Sequence, residues 1–332
     1  MRCLQITAIN APPTLVELPD PSPGTGEVVV RLKAAALNHR DVWIQLGKYP
    51  GLTLPVIPGS DGAGIVVAAA SGQESWIGKQ VVINPGFGWG PREDAQDNAF
   101  TILGMPRAGT LSTHVVVPAS QLSEKPAHLS WPEAAALPLA GLTAWRALVG
   151  QGKATSGTRV VITGIGGGVA LAALQFARAL GCQVAVTSAD SGKRKRATEL
   201  GATLALDRAD ATWPKQVLAQ WTSGADLVID GGGGDALNQA IDCLRPGGSL
   251  VIYGATGGVP QSLDLRKVFW RQLRIQGSTM GSPAEWTAML VAVSRYGIRP
   301  IVDSALPLAQ GAEAFVRMQA GKQFGKLVFT CE

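Results

Sequence analysis

The chain has 332 residues, and its 29 lysine and arginine residues against 24 aspartate and glutamate residues give it a formal charge of +5. A hydrophobic content of 46% and a mean hydropathy of +0.17 exclude a disordered polar chain, and the length favours roughly two domains. The modest positive charge favours an anionic ligand but does not indicate nucleic-acid binding.

The cysteines and the apolar stretches indicate the cellular compartment in which the protein is expected. All four cysteines stand alone, without a CxxC pair or a disulfide framework, which favours a reducing cytoplasm. Residues 1–10 lack the apolar core of a secretory signal. The longest apolar stretch, Ala134–Trp145, contains Pro138 and falls short of the ~20 residues needed to cross a bilayer. We therefore expect a soluble, cytoplasmic protein.

The first third of the chain predicts β-structure broken by turns. Glu27–Lys33 alternates apolar and charged residues with a period of two, and Gly64–Ala70 and Gln80–Asn84 are short apolar strands. Prolines interrupt any long helix in this part. The polar, glycine-rich stretch Gly86–Gly109 predicts a long surface excursion that is flexible or lid-like.

The pattern changes near Leu129. Ser130 with Glu133 three residues later predicts a helix N-cap. From Thr158 onwards, strands alternate with glycine turns and helices, which predicts a doubly wound parallel sheet. The predicted strands and helices are Arg159–Thr163, Val169–Leu180, Gln183–Thr187, Gly192–Leu200, Leu204–Asp207, Leu227–Asp230, Ser249–Tyr253 and Leu273–Gly277. The tail returns to strands at Ile301–Ala305 and Lys326–Thr330 around a helix at Ala309–Ala320.

A glycine-rich turn joins the first of these strands to its helix. Glycines at such a turn let the backbone approach a pyrophosphate, and the helix N-terminus offers it unpaired N–H groups. A glycine-rich run alone has steric explanations, but the strand before it and the helix after it favour dinucleotide binding. The cofactor-binding residues predicted here are Gly164, Gly166, Gly167, Gly168 and Val169.

The end of the next strand indicates which dinucleotide is bound. In NAD-binding proteins, an acid about 20 residues after the glycines binds the ribose. Here Ser188 follows the strand and Lys193 comes soon after, which suits the 2′-phosphate of NADP. Asp190 is the counter-argument: if the strand runs two residues longer than predicted, Asp190 lies at its tip and NAD is favoured.

Further cofactor contacts are expected where later strands end, because ligands bind there in open α/β sheets. These predicted contacts are Arg208, Gly231, Gly254, Ala255 and Thr256. Gly231–Gly234 equally suits a turn without a ligand.

Several motifs resemble those of the medium-chain dehydrogenase/reductase superfamily, and the resemblance covers nearly the whole chain. They are Leu37–Asp41, Pro58–Gly64, Gly141–Trp145, the glycine turn and the closing Phe324–Lys326. The resemblance implies a GroES-like, β-rich catalytic domain formed by residues 1–125 and 277–332. It also implies a central Rossmann NADP-binding domain at 126–276.

The same resemblance argues against a metal. Zinc-dependent alcohol dehydrogenases place a cysteine and a histidine where this chain has Asn38 and Ser60, and their third ligand falls near Pro138–Ala140, which offers none. Residues 84–109 contain none of the four cysteines of a structural zinc site. The chain is therefore similar to the zinc-free quinone oxidoreductase and enone reductase branch, and we expect no metal site.

Within that branch, the resemblance implies that Asn38, Tyr49 and Thr143 line the substrate and nicotinamide cleft. Asn38 is expected to orient substrate or cofactor, and Thr143 to contact the cofactor as well. Tyr49 is expected to donate to the developing oxyanion or to supply a proton, but it equally suits simple packing in a glycine–proline loop.

The predicted activity is NADPH-dependent reduction of quinones or α,β-unsaturated carbonyls by hydride transfer without zinc. The alternatives are a zinc-independent alcohol or aldehyde dehydrogenase and an NADPH-binding interaction protein with little turnover. The expected partners are a small carbonyl or quinone substrate and a second copy of the chain, paired through the apolar strand around Leu273–Ser278. Neither nucleic acid nor a membrane is expected.

Overall fold

The computed structural model describes residues 1–331, which form two compact units. Unit 1 contains Met1–Ala140 and the C-terminal segment from Ser282, and unit 2 contains Gly141–Gly281. The boundaries between the two units, after Ala140 and after Gly281, lie later in the chain than the predicted domain boundaries at 125 and 276. None of the helices in the described part of the chain combines the length and the apolar character that a membrane span requires.

The strands are β1 Arg2–Gln5, β2 Thr14–Glu17, β3 Glu27–Ala36, β4 Asp61–Ala69, β5 Gln80–Ile83, β6 Gly86–Phe87, β7 Thr101–Ile102, β8 His114–Pro118, β9 Leu122–Glu124, β10 Arg159–Ile162, β11 Gln183–Ser188, β12 Leu204–Asp207, β13 Ala225–Asp230, β14 Leu244–Ile252, β15 Arg274–Gly277, β16 Val302–Pro307 and β17 Lys326–Thr330. The helices are α1 His39–Gln45, α2 Trp131–Ala136, α3 Pro138–Trp145, α4 Gly168–Ala179, α5 Ser191–Glu199, α6 Trp213–Gln220, α7 Ala236–Asp242, α8 Leu265–Trp270, α9 Pro283–Tyr296 and α10 Gly311–Gln319.

Unit 1 is built on a sheet in which β16, β17, β3, β4, β5 and β9 are neighbours in that order, with β8 also paired to β3. The last strand, β17, lies antiparallel to β3, so both ends of the chain belong to one β-rich unit, as predicted. Val28, Val30 and Leu32 of β3 are buried in a core that also includes Val66 of β4 and Phe329 of β17. Ser130 caps α2 with the predicted Ser–Glu capping box, in which the Ser130 backbone N–H donates to Glu133.

The segment 86–109 differs from the flexible excursion expected from its polar composition. Residues 86–87 and 101–102 pair as the ribbon of β6 and β7, and Leu103 and Met105 are buried in the core of unit 1. The Trp89 and Phe100 rings pack edge to face with centroids 5.3 Å apart. Its few large apolar residues therefore anchor the segment, although most of its other side chains are polar.

Unit 2 contains a six-stranded sheet with the order β12-β11-β10-β13-β14-β15, in which every neighbouring pair is parallel. This confirms the predicted doubly wound sheet. Val160, Val161 and Ile162 of β10 are fully buried, as expected for a central strand covered on both faces. The strand order reverses between β10 and β13, and the carboxyl ends of those two strands therefore define the crevice where such sheets bind ligands.

One ion-pair network fixes the opposite end of β10. Asp226 accepts the Arg159 backbone N–H at 2.8 Å and the Arg245 Nε–H at 2.6 Å. Although burial acts in the other direction, the side-chain and backbone bonds from Arg159, followed by the side-chain bond from Arg245, lower the pKa of Asp226 to about 2. Because the folded pKa lies below the unfolded one, the stabilisation is present above pH 4 and is lost as the pH falls towards 2.

We expect Asp226→Asn to lower the free energy of unfolding at pH 7 by on the order of 1 kcal/mol. This value is smaller than the pKa shift alone implies, because solvent screens the partly exposed carboxylate. Denaturant titrations at pH 7 and near pH 2.5 are expected to show a smaller difference between parent and variant at the lower pH. An equal difference at both values would contradict the assignment.

Candidate functional site

The turn between β10 and α4 has the conformation that a phosphate cradle requires. Gly164 and Gly166 have φ angles of +67° and +125°, a region that residues with a side chain adopt only with strain. A Cβ at Gly166 would also lie 2.8 Å from Cδ of Lys193. Gly167 then precedes α4 as its N-cap in an extended conformation, so the first N–H groups of α4 follow directly on the turn.

A cavity of about 440 Å³ opens beside this turn, at the carboxyl ends of β10 and β13. Asp230, nearly fully buried, accepts a hydrogen bond from the Thr163 hydroxyl and another from the Gly233 backbone N–H at 2.7 Å. These bonds tie together the loops that follow the two strands. The predicted cofactor residues Gly164, Arg208 and Thr256 line the cavity.

The glycines after β13 and β14 have a packing role as well. A Cβ at Gly231 would lie 2.4 Å from the ring of Tyr253, and one at Gly254 would lie 3.0 Å from the Gly231 carbonyl oxygen. Both loops therefore need glycine in order to approach each other. The cofactor contacts of Gly231, Gly254 and Ala255 stay predictions.

Strand β11 ends at Ser188, one residue later than predicted, and does not extend to Asp190. Asp190 is instead the N-cap of α5, and its carboxylate accepts the Lys193 backbone N–H at 2.9 Å. Ser188 is nearly buried, and its hydroxyl accepts the Asp190 backbone N–H. The residue at the strand tip is therefore a neutral hydroxyl, while the neighbouring carboxylate caps a helix.

Three basic side chains surround the strand tip, and they differ in what they contact. Arg194 is held by the Ser188 carbonyl at 2.7 Å and by the Asp207 carboxylate at 3.2 Å. The end of the Lys193 side chain lies over Gly166, and Arg208 lies beside Gly164. Lys193 and Arg208 thus bring positive charge to the space between the strand tip and the glycine turn, which suits a 2′-phosphate.

In unit 1, Asn38 lies at the centre of a buried polar cluster between β3 and α1. Its Nδ2 donates to Asp61 Oδ2 at 2.9 Å, and its Oδ1 accepts from Lys326 Nζ at 2.5 Å. The same ammonium donates to Asp61 Oδ2 at 2.7 Å. Asp61 is completely buried, and its Oδ1 accepts the Leu139 backbone N–H. We call Asn38, Asp61 and Lys326 the amide cluster.

A second network continues from the same helix. Arg40 donates through one terminal nitrogen to the Ser60 hydroxyl at 2.8 Å and to the Leu103 carbonyl at 2.7 Å. Its guanidinium carbon lies 4.7 Å from the centroid of the Tyr49 ring, and its Nε lies 3.4 Å from the Tyr49 hydroxyl. The other terminal nitrogen is buried and has no hydrogen-bond acceptor within residues 1–331. Tyr49 therefore packs on a cation rather than on apolar residues alone.

The buried Asp41 side chain links the two chain segments that carry these networks. Its two carboxylate oxygens accept the backbone N–H groups of Asn38 and Gly59. Complete burial raises the pKa of Asp41, and the Arg40 charge and the two N–H bonds act against that rise. Asp41 thus holds the residue before α1 next to the loop that carries Ser60 and leads into β4 at Asp61.

Of the predicted catalytic residues, Asn38 and Tyr49 lie in unit 1, at the start of α1 and in the loop after it. Thr143 lies in α3, in the part that belongs to unit 2, where its hydroxyl lies 3.9 Å from the Met280 sulfur. The sequence arguments missed Arg40 and Lys326. The only signal for Lys326 was its place in the closing Phe324–Lys326 motif.

The side chains at the expected zinc-ligand positions do not fit a zinc ion. Zinc requires cysteine, histidine or carboxylate ligands in a tetrahedral array. The Asn38 amide and the Ser60 hydroxyl are already bonded to an ammonium and a guanidinium, whose positive charges would repel a divalent cation. Within residues 1–331 no group of three or more histidine, cysteine, aspartate or glutamate side chains is arranged to bind a metal.

We expect the purified protein to contain much less than one zinc per chain by elemental analysis. Incubation with a chelator is expected to leave its activity unchanged. One tightly bound zinc per chain, lost together with activity on chelation, would contradict this prediction.

Comparison with known proteins identifies the family. Residues 24–127 match the alcohol dehydrogenase GroES-like domain, and residues 168–295 match the family described as zinc-binding dehydrogenase. The zinc-type alcohol dehydrogenase-like protein YogA of Leptosphaeria maculans is 36% identical, over 93% of this chain and 91% of its own.

Two solved structures show the same fold. A crystal structure described as an NAD-dependent alcohol dehydrogenase is 39% identical, covers both chains completely and has a TM-score of 0.95. The 2-octenoyl-CoA carboxylase reductase CinF, in complex with NADP and 2-octenoyl-CoA, is 25% identical over 99% of this chain and 87% of its own, with a TM-score of 0.91. The β-rich unit is therefore GroES-like, the parallel sheet is a Rossmann sheet, and the chain belongs to the medium-chain dehydrogenase/reductase superfamily of oxidoreductases.

Proposed function

We propose that this oxidoreductase reduces quinones or α,β-unsaturated carbonyl compounds with NADPH and without zinc. The observation that carries the proposal is the replacement of metal ligands by hydrogen-bonding residues around Asn38 and Ser60. Such a site lacks the Lewis acid that polarises a simple ketone or alcohol. A conjugated acceptor needs less polarisation, because its negative charge spreads onto an oxygen that a few donors can hold.

The glycine turn and its cavity fit a dinucleotide. Gly164, Gly166 and the first N–H groups of α4 would hold the pyrophosphate, and Lys193 and Arg208 would hold a 2′-phosphate. The neutral Ser188 and the engagement of Asp190 in helix capping leave no free carboxylate at the strand tip for the ribose of NAD. When bound, the coenzyme supplies a hydride to the β-carbon of the enone or to the quinone.

The residues of unit 1 would then stabilise the oxygen that receives the negative charge. Asn38 has a second N–H beyond the one it gives to Asp61, and Tyr49 has a hydroxyl proton. The guanidinium against Tyr49 favours negative charge nearby. In this proposal Asn38 and Tyr49 serve as donors, and Tyr49 passes a proton to the reduced product.

The relatives favour two related chemistries. CinF, by its description, binds NADP and an α,β-unsaturated acyl thioester, in agreement with a conjugated substrate. The NAD-dependent alcohol dehydrogenase favours the second candidate, a zinc-independent alcohol dehydrogenase that uses NAD. An NADPH-binding protein with little turnover would give binding without either reaction.

Absorbance at 340 nm separates these possibilities. We expect the protein to oxidise NADPH in the presence of 1,4-benzoquinone or 2-cyclohexen-1-one, and to reduce NAD and NADP slowly or not at all with benzyl alcohol. Turnover of the alcohol alone would establish the second candidate. Tight coenzyme binding without turnover of any of these compounds would favour the binding protein.

We also propose that the chain forms a homodimer through the β15 edge of the Rossmann sheet. Next to that edge, Phe269 and Trp270 are 67% and 81% exposed, and Ile275 of β15 itself is 40% exposed. An uncovered apolar strand edge promotes aggregation, so pairing with a second copy is the favourable arrangement. Sedimentation analysis is expected to give twice the chain mass of 34.5 kDa.

The variant Trp270→Glu/Ile275→Lys is expected to sediment as a monomer. Val316→Glu is the matched control, since Val316 is 67% exposed on α10 of unit 1. A parent protein that remains a monomer at all concentrations would contradict the dimer.

A further inference from the structure

The amide cluster determines which hydrogen-bonding group Asn38 offers to a ligand. A lysine ammonium has only donors, and an ionised carboxylate has only acceptors. The atom facing Lys326 Nζ at 2.5 Å must therefore be the amide oxygen, and the atom facing Asp61 Oδ2 at 2.9 Å must be the amide nitrogen. If either partner were replaced by an uncharged group, one of the two charged contacts that fix this orientation of the amide would be lost.

All three members of the cluster are nearly out of contact with water. Asn38 is 7% exposed, Lys326 4% and Asp61 0%. At such burial a flipped amide would place its N–H groups against the ammonium and its oxygen against the carboxylate, and both contacts would be repulsive. The Asp61 carboxylate is itself fixed, because its other oxygen accepts the Leu139 backbone N–H at 2.7 Å.

We infer that Lys326 and Asp61 are positioning residues that lock the Asn38 amide as a hydrogen-bond donor toward the carbonyl oxygen of the substrate. The inference rests on the proposed function, in which Asn38 stabilises the developing oxyanion. One N–H of Asn38 goes to Asp61, and the second has no acceptor within residues 1–331. The bond from Lys326 withdraws electron density from the amide oxygen and so strengthens that second N–H as a donor.

A double-mutant cycle tests whether Lys326 acts through Asn38. Loss of one oxyanion donor lowers kcat by roughly 100-fold or more in other enzymes, and we expect about that loss for Asn38→Ala with 2-cyclohexen-1-one. Lys326→Met is expected to lower kcat by at least tenfold in the parent but by less than threefold in the Asn38→Ala background. Lys326→Arg, which keeps the charge, is expected to recover activity to within about fivefold of the parent.

The Kd for NADPH is expected to change less than twofold in each variant, since the residues proposed to hold the phosphates of the coenzyme all lie in unit 2. Lys79→Met is the matched control, because Lys79 pairs with Glu124 on the exposed surface of the same unit. If Lys326→Met does not fold because Asp61 is left unpaired, Lys326→Met/Asp61→Asn replaces it in the cycle. Equal losses in both backgrounds would overturn the inference and leave Lys326 a purely structural residue.

A readout that does not need turnover separates this inference from the proposed function. The chain has five asparagines, so ¹⁵N-asparagine labelling gives few side-chain amide signals, and Asn38→Ala assigns the one of interest. We expect its exchange with water to be at least tenfold slower than that of the exposed Asn98, and to accelerate in the Lys326 variant. A parent that fails to reduce the enone but shows this behaviour refutes the proposed function alone, whereas an amide unaffected by Lys326 refutes the locking.

Discussion

NADPH is expected to bind at least tenfold more tightly than NADH. A charge-assisted hydrogen bond to an ionised group contributes about 1.5–3 kcal/mol, and each 1.4 kcal/mol corresponds to about a factor of ten in affinity. Lys193 lies over the glycine turn, and the strand tip carries Ser188 in place of an acid. Fluorescence titration of the parent protein with both coenzymes measures the ratio directly.

Two substitutions test the residues responsible. Lys193→Ala is expected to weaken the binding of NADPH about tenfold and to leave the affinity for NADH nearly unchanged, since only NADPH carries the 2′-phosphate. Ser188→Asp introduces a carboxylate that repels the phosphate and accepts the ribose hydroxyls, so it is expected to narrow or reverse the preference. Lys195→Ala is the control, because Lys195 is an exposed residue of the same helix and removes the same charge.

If the parent binds NADPH and NADH with equal affinity, and neither substitution changes this, another group determines the coenzyme preference. Asp190 would then be the first to examine. Its release from the cap of α5 would be required, since its carboxylate is bonded to the Lys193 backbone N–H.

The features that could be predicted from the sequence depend on residues close together in the chain. The capping box of Ser130 and Glu133 involves residues three apart, and the glycine turn lies within one strand–turn–helix unit. The central strands were recognisable because buried parallel strands form continuous apolar runs. Some predicted strand ends coincide with the observed ones, as at Asp207 and Asp230, and others differ by a residue, as at Ser188. The difference at Ser188 decides between two interpretations of Asp190.

The candidate site in unit 1 could be predicted only in part, because its contacts join distant segments. Lys326 is 288 residues from Asn38 and 265 from Asp61, and neither a pattern nor a spacing indicates that these residues meet. They meet because β17 pairs with β3 and β3 with β4. Arg40 was overlooked for a similar reason: its acceptors, Ser60 and Leu103, lie in two later loops.

Gly64 is expected to be among the least replaceable residues of unit 1. It pairs with Leu32 where β3 and β4 approach closely, and a Cβ on Gly64 would lie 2.2 Å from the Arg31 carbonyl oxygen. Because the carbonyl oxygen belongs to the backbone, this steric clash can be relieved only if one of the two strands moves. We therefore expect Gly64→Ala to lower the free energy of unfolding by about 3 kcal/mol, the upper part of the usual range for overpacking.

Thermal unfolding followed by circular dichroism measures this effect, and about 3 kcal/mol corresponds to roughly 6–12 °C in Tm for a unit of this size. Val67→Thr is the control, because Val67 lies in the same strand as Gly64 but its side chain is 38% exposed, and threonine keeps its branched shape. We expect that control to change the stability by no more than about 0.5 kcal/mol. Equal, small effects of the two substitutions would mean that β3 and β4 separate easily, and the close strand pairing that brings Asp61 to Asn38 would then not be rigid.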